Sequence, residues 1–96
     1  MRKNRDYKAE KIAKKKHYDK NRAWLDSLKA MPCEDCGGEF PPECMDFDHV
    51  RGRKKFGIAT SINGGRDRLA REIAKCDVVC SNCHRIRTRR RREKGR

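Results

Sequence analysis

The sequence predicts a small α+β domain stapled by a metal ion, with a basic helix at each end, and three observations predict it. Only 34% of the 96 residues are hydrophobic and 43% are charged, so a large self-sufficient apolar core is excluded and another device must hold the fold. Two Cys-x-x-Cys pairs separated by 43 residues supply that device. The charge is also segregated: residues 1–30 carry +7, residues 31–83 carry −1 and residues 84–96 carry +7. The chain accordingly divides into a basic helical arm over 1–30, a zinc-stapled core over 31–90 and a basic tail over 91–96.

From Arg5 to Leu28 there is no Pro or Gly, and Lys, Arg and Ala dominate, which favours helix. Its apolar residues are lopsided: Tyr18, Trp24, Leu25 and Leu28 form a stripe near the C-terminal end, while the first half offers little beyond Tyr7 and Ile12. The helix should therefore dock by its C-terminal end and leave the Lys14-Lys15-Lys16 half solvated. Pro32 ends it. Gly37-Gly38 and Pro41-Pro42 mark turns, and Met45 to Val50 reads as a short strand. Arg51 to Gly65 is a basic, glycine-punctuated loop with a turn around Ile58 to Ile62. A short helix over Asp67 to Lys75 has Leu69, Ala70, Ile73 and Ala74 on one face. Cys76 to Cys80 is a second strand, and Ser81 or Asn82 can cap a last helix running through Arg85 and Arg87 into Arg89 to Arg92.

Cys33, Cys36, Cys80 and Cys83 supply four thiolates, the number that a tetrahedral structural Zn2+ takes. A two-residue spacer lets one tight turn present both sulfurs, and Gly37 can adopt the left-handed conformation that aims amides at them. Zinc would tie the two ends of the neutral centre together, so metal binding and folding should be one event. Cys44 and Cys76 are left over, each read as a small buried residue.

Cationic arms of this kind attract a polyanion, and nucleic acid is the commonest one. A membrane is not expected, because no stretch is both apolar and long enough to insert, and the N-terminus lacks an apolar signal core. Cysteines used for metal place the chain in a reducing cytoplasm.

The neutral centre has one carboxylate-histidine constellation, Asp48-His49 at the end of the first strand and His84 just after Cys83. A zinc hub would hold His84 near the strand pair, so that Asp48 and His84 could bind a hard divalent ion while His49 takes a proton from water. That chemistry is phosphodiester hydrolysis. Strand alternation opposes it in part, since it sends Asp48 and His49 to opposite faces. Other assignments stand beside it: Asp46 in place of Asp48 as ligand, His84 as a zinc ligand, or His49 as a structural histidine.

Cys-x-x-Cys, then Asp-Phe-Asp-His-Val-x-Gly-x-Lys, then Cys-Asp-Val-Val-Cys-Ser-Asn-Cys-His-Arg resembles the zinc-containing HNH endonucleases, the ββα-metal nucleases, and most closely their small phage and bacterial type. The resemblance covers about residues 31–90. It implies a small α+β, zinc-stapled ββα-metal core that nicks or cuts DNA with Mg2+, Mn2+ or a similar divalent ion, leaving 5′-phosphate and 3′-hydroxyl ends. By position, His49 matches the general base, Asp48 the metal ligand before it, and His84 the final metal-binding histidine. One position departs: Lys75 stands where many members have an asparagine that braces the loop and orients the base; Asn63 and Asn82 are the nearest substitutes, and the helix over Asp67 to Lys75 is another candidate for that bracing. The resemblance further implies DNA as partner, phage packaging machinery as a docking partner, and the bacterial host cytoplasm as the location. One catalytic set per chain points to nicking by a monomer.

Arg85, Arg87, Arg89 and Arg90 follow His84, and Arg51, Arg53, Lys54 and Lys55 follow His49, so both groups are expected along the DNA backbone flanking the cut. The N-terminal helix has few residues suited to base readout beyond Asn4, Asn21 and Arg22, which predicts weak sequence specificity and steep salt dependence. The rival reading is a zinc-ribbon-like nucleic-acid-binding module in which Asp48 and His84 are structural.

Overall fold

A computed structural model describes residues 7–95. The proposed helix start at Arg5 and the readout residue Asn4 lie outside them. In chain order the elements are α1 (Tyr7–Leu28), β1 (Met45–His49), α2 (Arg66–Ile73), β2 (Cys76–Cys80) and α3 (Ser81–Lys94), with short 3-10 turns at Pro42–Cys44 and Ala59–Ser61. The class is small α+β, with three helices and one two-stranded sheet. Among the described residues no helix is long and apolar enough to cross a membrane.

The strands pair antiparallel, with Met45 opposite Cys80, Phe47 opposite Val78, Asp48 opposite Asp77 and His49 opposite Cys76. Side chains alternate between two faces. Asp46 and Asp48 reach residues of α3, while Phe47 packs on the α1 side and His49 meets α2.

The apolar interior is split, as the composition requires. Cys33, Met45, Val79 and Cys80 make one buried cluster, and Leu25, Ile58 and Ile62 make another, covered by Trp24, Phe47, Phe56 and Ile73. The second cluster docks the C-terminal half of α1. Asn21, 2% exposed, donates to the carbonyls of Ile62 at 2.6 Å and Gly64 at 3.2 Å, and the Arg66 guanidinium lies 5.1 Å from the Trp24 ring centre. Lys14, Lys15 and Lys16 are exposed.

Several expectations are corrected. Asn21 is a docking residue, because both of its amide hydrogens are committed to loop carbonyls, so it is withdrawn from base readout. Tyr18 is exposed and lies outside the packed stripe. Cys44 is exposed, since it sits on the outward 3-10 turn before β1, whereas Cys76 is buried. The cap of α3 is Cys80, neither Ser81 nor Asn82: its sulfur accepts from the Cys83 amide at 3.5 Å.

Candidate metal centre and the adjoining carboxylate-histidine site

The Cys33-Glu34-Asp35-Cys36 turn closes on glycines. Gly37 has φ +73, the Gly37 amide donates to the Cys33 carbonyl at 2.8 Å and the Cys33 amide to the Gly38 carbonyl at 2.9 Å. The second Cys-x-x-Cys forms where β2 runs into α3. The two halves meet, and the sulfurs of Cys33, Cys36, Cys80 and Cys83 all lie within 4.8 Å of one another. Tetrahedral zinc with Zn–S bonds of about 2.3 Å requires sulfurs about 3.8 Å apart, so the set fits a structural metal such as zinc with a small contraction.

The electrostatics agree with that chemistry. Burial opposes ionisation of Cys33, but the amides of Cys36, Cys80 and Asp35 outweigh it and bring its pKa down to about 6. The neighbouring Cys80 sulfur, with burial, pushes the Cys83 thiol up to about 12. Four sulfurs crowded together resist sharing several negative charges, and a divalent cation relieves that repulsion. Cys80 does two jobs, as ligand candidate and as helix cap, which places its sulfur at the positive end of α3.

One residue past the hub, His84 faces the sheet and lies between two carboxylates. Its Nδ1 is 2.9 Å from Asp46 Oδ2 and its Nε2 is 3.4 Å from Asp48 Oδ1. Both aspartates named from the sequence therefore reach the same imidazole. Asp48 is 3% exposed and heavily partnered: Arg91 binds it through two nitrogens, at 2.8 Å and 2.7 Å, and Arg87 Nη1 donates at 3.0 Å. Burial resists ionisation of Asp48, yet Arg91 and Arg87 overcome it and hold its pKa at about 2. An open groove of about 790 Å³ runs along α3 beside this pair, with Asp46, His84, Arg85, Thr88, Arg89 and Arg92 on its walls.

His49 is not part of this cluster. It projects from the opposite face of β1, and its Nε2 lies 3.0 Å from Glu72 Oε2 on α2. The physical reason is the alternation that separates it from Asp48. Glu72 was not singled out from the sequence. It is 2% exposed, and it also binds Lys75 Nζ at 2.9 Å and the Lys55 amide at 2.9 Å. The Lys75 ammonium first, and the Lys55 amide and His49 with it, hold the carboxyl at about 2 against the cost of burial. An ionised carboxylate only accepts, so the bond assigns the proton to Nε2 and leaves Nδ1 of His49 as the free lone pair. Lys75 Nζ also donates to the Arg53 carbonyl at 2.7 Å, tying the loop after β1 to the end of α2.

The arginines expected on DNA fall into two groups. Arg87 gives Nε and Nη2 to Asp35, each at 2.6 Å, and Nη1 to Asp48 and Asp77. Arg51 gives its donors to Ala74, Asp77 and Cys76. Arg87 is corrected from DNA-contacting to internal, since four of its five N–H donors go to protein acceptors and its side chain is 17% exposed, whereas Arg51 spends three of five and its side chain stays 55% exposed, with donors left for phosphate. Arg53, Lys54, Lys55, Arg85, Arg89 and Arg90 are exposed, Arg89 with an i,i+4 partner in Glu93.

No family model, no curated protein and no solved structure matches the chain.

Proposed function

We propose that the chain is a metal-dependent DNA endonuclease of the HNH, ββα-metal kind. The observation that carries this reading is the Asp48 carboxylate 3.4 Å from the His84 imidazole, on a strand pair and helix joined at the four-cysteine hub. Zinc at that hub would be structural. Octahedral bonds of about 2.1 Å set neighbouring ligand atoms about 3 Å apart, so Asp48 and His84 suit one hard cation after a small adjustment. A divalent ion such as Mg2+ or Mn2+ held there supplies positive charge beside a phosphodiester. His49, fixed by Glu72, has Nδ1 free to take a proton from the attacking water. The scissile phosphate then lies across the end of β1, with the aspartate-histidine pair on one side and His49 on the other. Water adds to phosphorus, the P–O3′ bond breaks, and the 3′ oxygen is protonated from solvent. Arg53, Lys54, Lys55, Arg85, Arg89 and Arg90 bind the flanking phosphates.

A second reading draws on the same network. Asp48 already satisfied by two guanidiniums suits a zinc-stapled nucleic-acid-binding module without catalysis. Nicking of supercoiled plasmid, with and without Mg2+ or Mn2+, decides between them. The expected result is ion-dependent nicking that is lost in His49→Ala while DNA binding is kept. Binding without nicking in either ion selects the second reading, and equal nicking by His49→Ala removes His49 as the base.

A further inference from the structure

The two arginines on Asp48 are not alike. Arg87 is anchored elsewhere, by Asp35 and Asp77, and its side chain is 17% exposed. Arg91, one turn further along α3, has Asp48 as its partner among the described residues and is 49% exposed. The Asp48 oxygen nearest His84 Nε2 is Oδ1, and that is the oxygen to which Arg91 Nη1 donates at 2.8 Å. The guanidinium thus occupies the approach a cation would use to reach Asp48 and His84 together. Charge points the same way. Four carboxylates, of Asp35, Asp46, Asp48 and Asp77, are linked to three guanidiniums, of Arg51, Arg87 and Arg91. Exchanging Arg91 for a divalent ion brings that network to neutrality, and Arg87 stays to hold the aspartate in place.

We propose that Arg91 is a resident cation on Asp48 that yields its place to the divalent ion, its released guanidinium then binding a DNA phosphate. The inference rests on the reading of Asp48 and His84 as a cation site. Leaving costs Arg91 two charge-assisted bonds at a half-exposed position, and a DNA phosphate offers the same bidentate geometry in return. The ion would thereby prepare the phosphate-binding surface as well as the reacting site, which couples metal and DNA binding reciprocally.

The test titrates Mn2+ into the zinc-loaded full chain, with free Mn2+ read by its electron paramagnetic resonance signal, and measures DNA affinity in parallel. Arg91→Gln should bind Mn2+ about tenfold more tightly than the wild type, the size of one net charge-assisted bond, and His84→Ala should lose that binding. Arg91→Gln should also bind DNA more weakly than the wild type when Mn2+ is present and equally when it is absent. Mn2+ affinity unchanged or weakened by Arg91→Gln overturns the exchange alone. A DNA defect of the same size with and without Mn2+ overturns the release step. No Mn2+ bound by either protein, or binding that survives His84→Ala, overturns the cation site and the exchange with it.

Discussion

On the α3 face of the sheet, Asp46, Asp48 and Asp77 meet His84, Arg87 and Arg91 in a continuous charged network. The other face holds Phe47 against Leu25, Ile58 and Ile62, and ends in a single pair, His49 with the buried Glu72. Asp48 and His49 are neighbours in the chain, yet each is positioned by a different helix and by a different kind of force. Charge-assisted bonds from α3 hold the aspartate, and α2, packed through Leu69 and Glu72, holds the histidine. A two-stranded sheet is marginal alone, so the comparison teaches that each half of the candidate site depends on what covers its face. The hub and the Leu25 cluster are the two fastenings.

Removing the hub's metal should have the largest effect, because the hub joins the turn before β1 to the start of α3. Chelation, or Cys33→Ser, is expected to abolish the cooperative thermal transition and leave every thiol reactive, six in the chelated chain and five in the variant. The expected loss reaches both faces, since β2 belongs to each. Thiol protection and a cooperative transition that persist in metal-free protein would show that the apolar clusters suffice.

The next effect separates the two arginines of the charged face. Arg87→Ala leaves Asp48 and Asp77 each with one guanidinium fewer inside the fold, at a cost of about 2–3 kcal/mol, whereas Arg91→Ala at a half-exposed site should cost about 1 kcal/mol or less. The acid limb of the stability belongs to both arginines. Asp48 has its pKa lowered from 3.8 to about 2, so its contribution is complete above pH 3.8 and is lost as pH falls through 2. Arg91 first, and Arg87 after it, holds the pKa down, so losing either lets it rise toward its ordinary value and shrinks that acid-sensitive part of the stability. Thermal melts of zinc-loaded wild type, Arg87→Ala and Arg91→Ala at pH 7, where the thiolates still hold the metal, read the two costs. Equal costs for the two substitutions would erase the distinction between an anchored and an exchangeable arginine.

Much of the two fastenings was legible in sequence because their signals are local or carried by spacing. The strand Cys76–Cys80 and the paired cysteines came from short patterns, and the docked end of α1 came from its apolar residues. What stayed hidden depends on partners brought together by the fold. Arg87 reads as one of a basic run until Asp35, 52 residues away, takes one edge of its guanidinium and Asp48 and Asp77 the other. Glu72 reads as a solvated helix charge until β1 brings His49 to it, although a lone acid among the apolar positions of a short helix was an available signal. Asn21 looked suited to base readout because the sequence does not reveal which loop carbonyls will meet it. Neither could the pattern show that a cysteine, itself a ligand candidate, would cap α3.

The smallest effects should come from the exposed cations, and they test the division of arginines most directly. A cation that neutralises a DNA phosphate contributes about one unit to the slope of log affinity against log salt concentration. Arg85→Ala and Arg90→Ala should each lower that slope by about one and weaken binding to any sequence to a similar degree. Arg51→Ala removes a guanidinium whose charge is already offset by Asp77, so the folded variant should keep the full slope. Binding isotherms on one random-sequence duplex across a salt series, with folding checked by circular dichroism, make the comparison. A slope reduced as much by Arg51→Ala as by Arg90→Ala would mean that carboxylate-paired arginines leave their partners when DNA arrives. Arg91 would then be the rule for this surface, and the anchored class would have to be abandoned.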